Sequence, residues 1–277
     1  MKKILKILGI IVLIAAGTII ALAAFLLISG FIQSKKPVVA PDYQSSVQTG
    51  GPLETKFLQN GPYEASYFEK EAEGPSLKYE IWYPGELENT SGTFPVIVYC
   101  NGSGVTGSRI DALFRHWASW GFIVLANEDS STWSGASADQ TLSFLLSENE
   151  REGSMFFGRV DTLNIGITGH SQGGVGVFNA AAVQSHAGLY KTAVPVSPTY
   201  EELAGALNWP YDPAMTDIPV LLLARDGQAD SETVIPLDKM IAIYDKLPSA
   251  KAMARKTGID HDVTDSDMDG YVTAWFL

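Results

Sequence analysis

One cysteine in 277 residues leaves no internal disulfide to form, and only 18% of the residues are charged. The chain is therefore neither a disulfide-stapled scaffold nor a solvated disordered polymer, and its composition excludes a collagen-like fibre. No internal repeat is present. Basic residues are few, 19 Lys and Arg against 31 Asp and Glu, for a formal net charge of −12. Five lysines are the only charges in residues 1–36, so the remainder carries 14 basic and 31 acidic groups. Such a surface repels nucleic acid and anionic lipid, and no nucleic-acid partner is expected. Histidine is scarce too, with four in the chain, which narrows the choice of any general base. Cys100 lies within an apolar run and reads as a small core residue rather than a reactive thiol.

What is present is apolar mass: 46% of residues are hydrophobic, enough for one large soluble domain with an appendage. The appendage is residues 1–36. Lys2, Lys3 and Lys6 precede an uncharged run from Ile7 to Ile32, and Lys35 and Lys36 follow. A run of that length exceeds the roughly 20 residues needed to span a bilayer, so a single transmembrane helix is expected. The rival reading is a signal peptide cleaved near Ala21-Leu22-Ala23-Ala24, although Phe25 to Ile28 continue the apolar run. With a short lysine-bearing tail inside, the remaining chain faces outward from the cell membrane; if the segment is cleaved, the protein is secreted. Residues 37–60 turn to Pro, Gly, Ser, Gln and Asn and read as a linker, so the folded domain is expected over 61–277.

Within that domain short apolar runs alternate with helical patterns. Phe94 to Cys100, Phe122 to Ala126, Leu163 to Thr168, Thr192 to Val196 and Pro219 to Ala224 read as buried strands. Arg109 to Trp120, Ala138 to Leu146, Val175 to Val183 and Lys239 to Leu247 read as helices, and Tyr63 to Tyr83 as an edge hairpin. This alternation predicts an α/β fold with a mostly parallel central sheet and helices on both faces.

Chemistry concentrates at Gly169-His-Ser-Gln-Gly173, which follows a strand and opens a small-residue helix. This is G-x-S-x-G in the strand–turn–helix context that exposes a nucleophilic serine, Ser171. A serine needs a neighbouring base. His116 and His186 fall on or beside helices as surface or packing residues, and His170 is part of the turn and points away. His261, in the polar loop after the strand pattern Lys251 to Lys256, remains. A carboxylate orienting it is expected after the strand ending at Ala224, where Asp230 is favoured over Asp226. For a developing oxyanion the donors are the backbone N–H of Gln172 and that of Ser103, with Gly104 the alternative in Asn101-Gly-Ser-Gly104. Trp133 is a candidate cleft wall for substrate, as is Trp209. The acidic run Asp260 to Asp269 lacks calcium-loop spacing and reads as a solvated face, so no metal site is expected.

With these motifs the chain resembles the α/β-hydrolase superfamily, and within it the lidless chlorophyllase-like, dienelactone-hydrolase-like and cutinase (polyester hydrolase)-like group. The resemblance covers residues 61–277. It implies an α/β-hydrolase fold, a triad of Ser171, Asp230 and His261, and hydrolysis of a small-molecule or polymeric carboxylic ester of short to medium acyl groups. No cofactor is implied, and a monomer is expected. Amide hydrolysis, acyl transfer in the cell envelope, or an inactive binding module on the same fold are the alternatives. Asn101, where the family often has histidine, and a long acid loop are departures from the pattern.

Overall fold

β-Branched and aromatic runs bounded by Gly, Pro and Asn set the strands of an eight-stranded sheet. They are β1 Ala65–Glu71, β2 Lys78–Pro84, β3 Phe94–Cys100, β4 Ile123–Asn127, β5 Val160–His170, β6 Tyr190–Val196, β7 Val220–Arg225 and β8 Lys251–Lys256. The computed structural model describes residues 36–72, 74–261 and 265–277. The apolar run Ile7–Ile32 lies outside them, and so does the membrane helix expected there. No helix among the described residues is long and apolar enough to cross a membrane.

The strand order is β1-β2-β4-β3-β5-β6-β7-β8. Pairing is antiparallel at β1–β2 and β2–β4 and parallel from β4 through β8. Helices α1 Pro52–Phe57, α2 Asp111–Ser119, α3 Ala136–Glu150, α4 Gln172–Val183, α5 Glu201–Ala206, α6 Leu237–Lys246 and α7 Asp269–Phe276 surround it. Side chains alternate across each strand, so β3 sends Val96, Val98 and Cys100 to one core, with Leu142 and Phe178 from α3 and α4. Ile97 and Tyr99 go to the other face, against Phe114, Trp117 and Val272 from α2 and α7. The sheet is thus covered on both sides, as parallel strands require.

Register decides where the chemistry goes. Cys100 pairs with Gly169, His170 with Val196, and Val196 with Leu223. The carboxyl ends of β3, β5, β6 and β7 therefore finish side by side, and Asn101, Ser171, Ser197 and Arg225 stand at one edge of the sheet, where ligands bind in such folds.

Residues 38–60 differ from the linker expected there. Val38 to Leu277 form one compact unit. Val39, Tyr43 and Leu58 are buried, and Tyr43 donates to Asp269 at the start of α7. Glu54 is fully buried on α1 and pairs with Lys256 of β8 at 2.6 Å. A handful of apolar and charged anchors, dispersed in a Pro, Gly and Ser background, dock this segment although its composition stays polar throughout.

Candidate active site

At the centre of the edge, β5 turns sharply into α4. Ser171 sits in the turn with φ 58° and ψ −117°, a left-handed conformation that side chains other than Gly rarely adopt and that costs about 1–3 kcal/mol. The flanking glycines let the turn pass close to β3. A Cβ on Gly169 would lie 2.6 Å from the Cys100 carbonyl oxygen, and one on Gly173 would lie 2.0 Å from it. The Ser171 amide is tied to Val196 at 3.0 Å, so the backbone is held while the side chain projects at the start of a 12-residue helix.

The structure brings Ser171, His261 and Asp230 together from three separate segments. Ser171 Oγ lies 3.1 Å from His261 Nε2, and His261 Nδ1 lies 2.6 Å from Asp230 Oδ1. An ionised carboxylate only accepts, so Nδ1 carries the hydrogen and Nε2 is left to accept from the serine hydroxyl. Asp230 is fully buried. Burial pushes its carboxyl up, but hydrogen bonds from His261, Ser197 and the Arg225 amide outweigh this and hold it below its ordinary value. Asp226 plays a different part. It is exposed, and its Oδ1 accepts from the Gly258 amide at 2.7 Å. Asp260, beside His261 in the chain, accepts from the amides of Ala229 and His261, each at 2.7 Å. It stitches the acid loop to the histidine loop.

Across from the serine, the loop after β3 is braced from beneath. Asn101 Nδ2 donates to the carbonyls of Asn127 and Asp129, each at 2.7 Å, and Asn101 O accepts from Thr132 Oγ1 at 2.6 Å. The Gly104 amide donates to Ser130 O at 3.1 Å, which commits it to the scaffold. Ser103 is exposed at the tip of this turn, and Gln172 is the first residue of α4, where the leading amides of a helix have no intrahelical partner. Trp133 is half-buried in the loop between β4 and α3, and its carbonyl accepts from Asn179 Nδ2 at 2.8 Å. Trp209, half-buried after α5, bonds back to Ala204 through its amide.

Other titratable side chains lie further out or deeper. His116 is buried against Asp269 at 2.7 Å, and His186 pairs with Asp139 at 3.0 Å. The acidic run before α7 is not the solvated face expected from its charge. Asp265 and Asp269 are fully buried, and Asp267 clasps Arg225. Burial, with Asp267 and Asp269 nearby, pushes the Asp265 carboxyl up to about 8 despite the lowering effect of Arg225. Among the described residues no group of three or more His, Cys, Asp or Glu is gathered as a metal site.

Two residues at this edge are not singled out by any sequence motif. Ser197, at the end of β6, has φ 42° and donates from Oγ to Asp230 Oδ2 at 2.5 Å. Arg225, the last residue of β7, is fully buried and donates from its amide to the same oxygen at 2.8 Å. The available signal was a cation closing the apolar strand Pro219 to Ala224, at the end of the sheet where the nucleophile stands.

Similarity to characterised proteins runs through the same region. The chain is 25% identical over 205 residues to cutinase est2 of Thermobifida alba, covering 70% of this chain and 61% of that protein. It is 26% identical over 203 residues to cutinase 1 of Thermobifida cellulosilytica, covering 70% of each. It is 28% identical over 178 residues to the bis(hydroxyethyl) terephthalate hydrolase of Streptomyces coelicolor, covering 61% of this chain and 50% of that one. The chain thus spans half to about two thirds of the length of these relatives. A family-wide match takes in residues 58–276, a stretch that contains the serine turn, the histidine loop and every strand of the sheet, and by it the chain belongs to the PETase, or PET hydrolase-like, family.

Proposed function

We propose that this protein is a serine carboxylic ester hydrolase that works through an acyl-enzyme on Ser171. The observation carrying this reading is the unbroken hydrogen-bonded row from Ser171 through His261 to a buried, ionised Asp230. Ser171 Oγ attacks the ester carbonyl while His261 Nε2 takes its proton, and Asp230 holds the ring and stabilises the imidazolium. The negative charge on the tetrahedral oxygen is met by the Ser103 and Gln172 amides, with the Gly104 amide turned to Ser130. His261 then protonates the departing alcohol, and water releases the acid by the reverse sequence.

The substrate class is a small or polymeric ester with short to medium acyl groups. Between β6 and β7 lie only α5 and one short turn, too little chain for a large lid, which suits an open cleft and a bulky chain lying across it. Relatives named as cutinases and as a bis(hydroxyethyl) terephthalate hydrolase point the same way. The protein acts as a monomer tethered by residues 7–32 to the cell membrane, with the catalytic domain outside, Trp133 at the cleft wall and no nucleic-acid partner. Detergent-free extraction and protease accessibility of intact cells test the tether, and light scattering tests the monomer.

Hydrolysis of p-nitrophenyl esters from acetate to palmitate, and of a polyester film, tests the chemistry beside a Ser171→Ala variant. Turnover confined to the unmodified protein with an optimum at short or medium chains is the expected result. Equal turnover by a folded Ser171→Ala protein would sink the acyl-enzyme.

A further inference from the structure

Arg225 is a fully buried guanidinium that the reaction above does not use. A buried cation is costly unless paired. Asp267 supplies the pairing, accepting from Nε at 2.8 Å and from Nη2. The third nitrogen goes elsewhere. Nη1 donates to His170 Nε2 at 2.9 Å and to Ser197 Oγ at 3.3 Å. Each of these partners in turn touches the triad. His170 packs against His261 in a tilted arrangement, ring centroids 4.6 Å apart and planes at 33°, and Ser197 Oγ donates to Asp230 at 2.5 Å. Ser197 keeps a left-handed backbone to do so.

We propose that Arg225 is a positioning residue of the triad: anchored on Asp267, it fixes the His170 ring beside His261 and aims the Ser197 hydroxyl at Asp230. The proposal rests on the Ser171, His261 and Asp230 reading given above. Its chemical content lies in the direction of one hydrogen bond. A guanidinium only donates, so His170 Nε2 must offer a lone pair, its hydrogen sits on Nδ1 and the ring carries no charge. Burial, the Arg225 charge and His261 all push His170 well below its ordinary value. During turnover His261 becomes a cation. An uncharged ring leaves that cation unopposed, whereas a second imidazolium at this distance would repel it. Around the His170–Arg225 pair stand His261, Asp230, Tyr99, Asp265, Asp267 and Arg255, and Arg255 donates to the Arg225 carbonyl rather than to either ring. Among these groups Arg225 is the one that holds the His170 lone pair.

The test uses the full chain. Arg225→Met is combined with Asp267→Asn, so that Asp267 is not left as an unpaired carboxylate, and kcat and KM for p-nitrophenyl butyrate are followed from about pH 5 to about pH 9. The expected kcat loss is about 10- to 100-fold, the size of one lost charge-assisted hydrogen bond, with KM little changed. Removing Arg225 takes away one brake on the charging of His170 and leaves burial, so the acid limb of kcat/KM, a one-proton limb in the unmodified protein, steepens toward a two-proton limb at the acid end of this range. Adding His170→Phe restores the one-proton limb, which a merely structural defect would not do. An unchanged kcat with a one-proton limb in the first variant overturns the proposal. Should that variant fail to fold, nitrogen NMR of the histidine rings in the unmodified protein decides: an acceptor-type His170 Nε2 down to about pH 5 supports it, and a protonated one at neutral pH overturns it. Retention of turnover by Ser171→Ala would defeat the triad reading instead, and the NMR result distinguishes the two failures.

Discussion

Replacing Asp230 with Asn tests the acid of the triad with almost no change in shape. Three donors converge on this carboxylate: His261 Nδ1 at 2.6 Å on Oδ1, and Ser197 Oγ at 2.5 Å with the Arg225 amide at 2.8 Å on Oδ2. Asparagine offers one oxygen and one NH2, so one side must face donor to donor. The Arg225 amide belongs to a strand end and cannot turn, whereas the His261 ring can shift its hydrogen. The oxygen therefore stays with Ser197 and Arg225, and the NH2 meets Nδ1. That ring is then driven to carry its hydrogen on Nε2, aimed at Ser171 Oγ only 3.1 Å away, and the base is lost. A wrong tautomer in such a triad costs about 10^4 in kcat, or about 5 kcal/mol of barrier at 1.36 kcal/mol per decade. Unfolding free energy drops by about 1–3 kcal/mol for the charge-assisted bonds weakened. Steady-state hydrolysis of p-nitrophenyl butyrate with urea unfolding measures both. Asp226→Asn is the control, since an amide oxygen can accept from the Gly258 amide as well as a carboxylate does, and its rate is expected to hold. A collapse of activity in Asp226→Asn with Asp230→Asn fully active would refute the assignment.

Three further expectations concern stability. A chain truncated to begin at residue 37 folds, whereas one beginning at residue 61 loses its cooperative thermal transition, and Glu54→Ala, which strips Lys256 of its carboxylate, costs about 3 kcal/mol in urea unfolding; a fully folded 61–277 fragment would show that the docking of residues 38–60 is incidental. Gly173→Ala puts a Cβ 2.0 Å from the Cys100 carbonyl oxygen and is expected to cost more than about 4 kcal/mol, leaving the protein insoluble; a variant with parental melting temperature would contradict the close crossing of β3. Glu80 on β2 is fully buried, and burial together with Glu128 pushes its carboxyl from 4.5 up to about 8. Because the folded value exceeds the unfolded one, stability is fully present below 4.5 and falls as pH rises toward about 8. Glu80→Gln therefore melts higher than the parent at about pH 9 and much closer to it at about pH 5; an equal difference at both would be inconsistent with this titration.

Much of the architecture is written locally. The apolar run Phe94–Cys100 and the strand pattern Lys251–Lys256 coincide with β3 and β8, and the other strands and the helices α2, α3, α4 and α6 lie within a few residues of their patterns, because side-chain period and turn chemistry are properties of neighbouring residues. The serine turn is legible for the same reason: G-x-S-x-G is one strand, one tight corner and one helix start in five consecutive positions. His261 emerged because the chain has so few histidines.

Other assignments depend on contacts between residues far apart in the chain, which no local pattern encodes. Asp226 and Asp230 share one loop and one chemistry, and only the single π-helical turn Asp230–Val234, which carries Asp230 inward against His261, separates the carboxylate that meets the histidine from a turn cap. Ser103 and Gly104 are adjacent small residues, and only the fold turns the Gly104 amide to the carbonyl of Ser130, 26 positions away. The aspartates Asp265, Asp267 and Asp269 look like a solvated face until β7 brings Arg225 to Asp267, and Tyr43 and α2 bring their side chains to Asp269. Residues 38–60 look like a linker because composition averages over positions, whereas docking depends on a few anchors, among them the buried Val39, Tyr43, Glu54 and Leu58. The sequence by itself determined most of the elements and singled out Ser171 and His261, since these follow from short-range periodicity, steric need and the scarcity of histidine. Only the tertiary structure decided which carboxylate faces the histidine and which side chains, Arg225, Ser197 and His170, gather around the pair, because strand register across the sheet sets those distances.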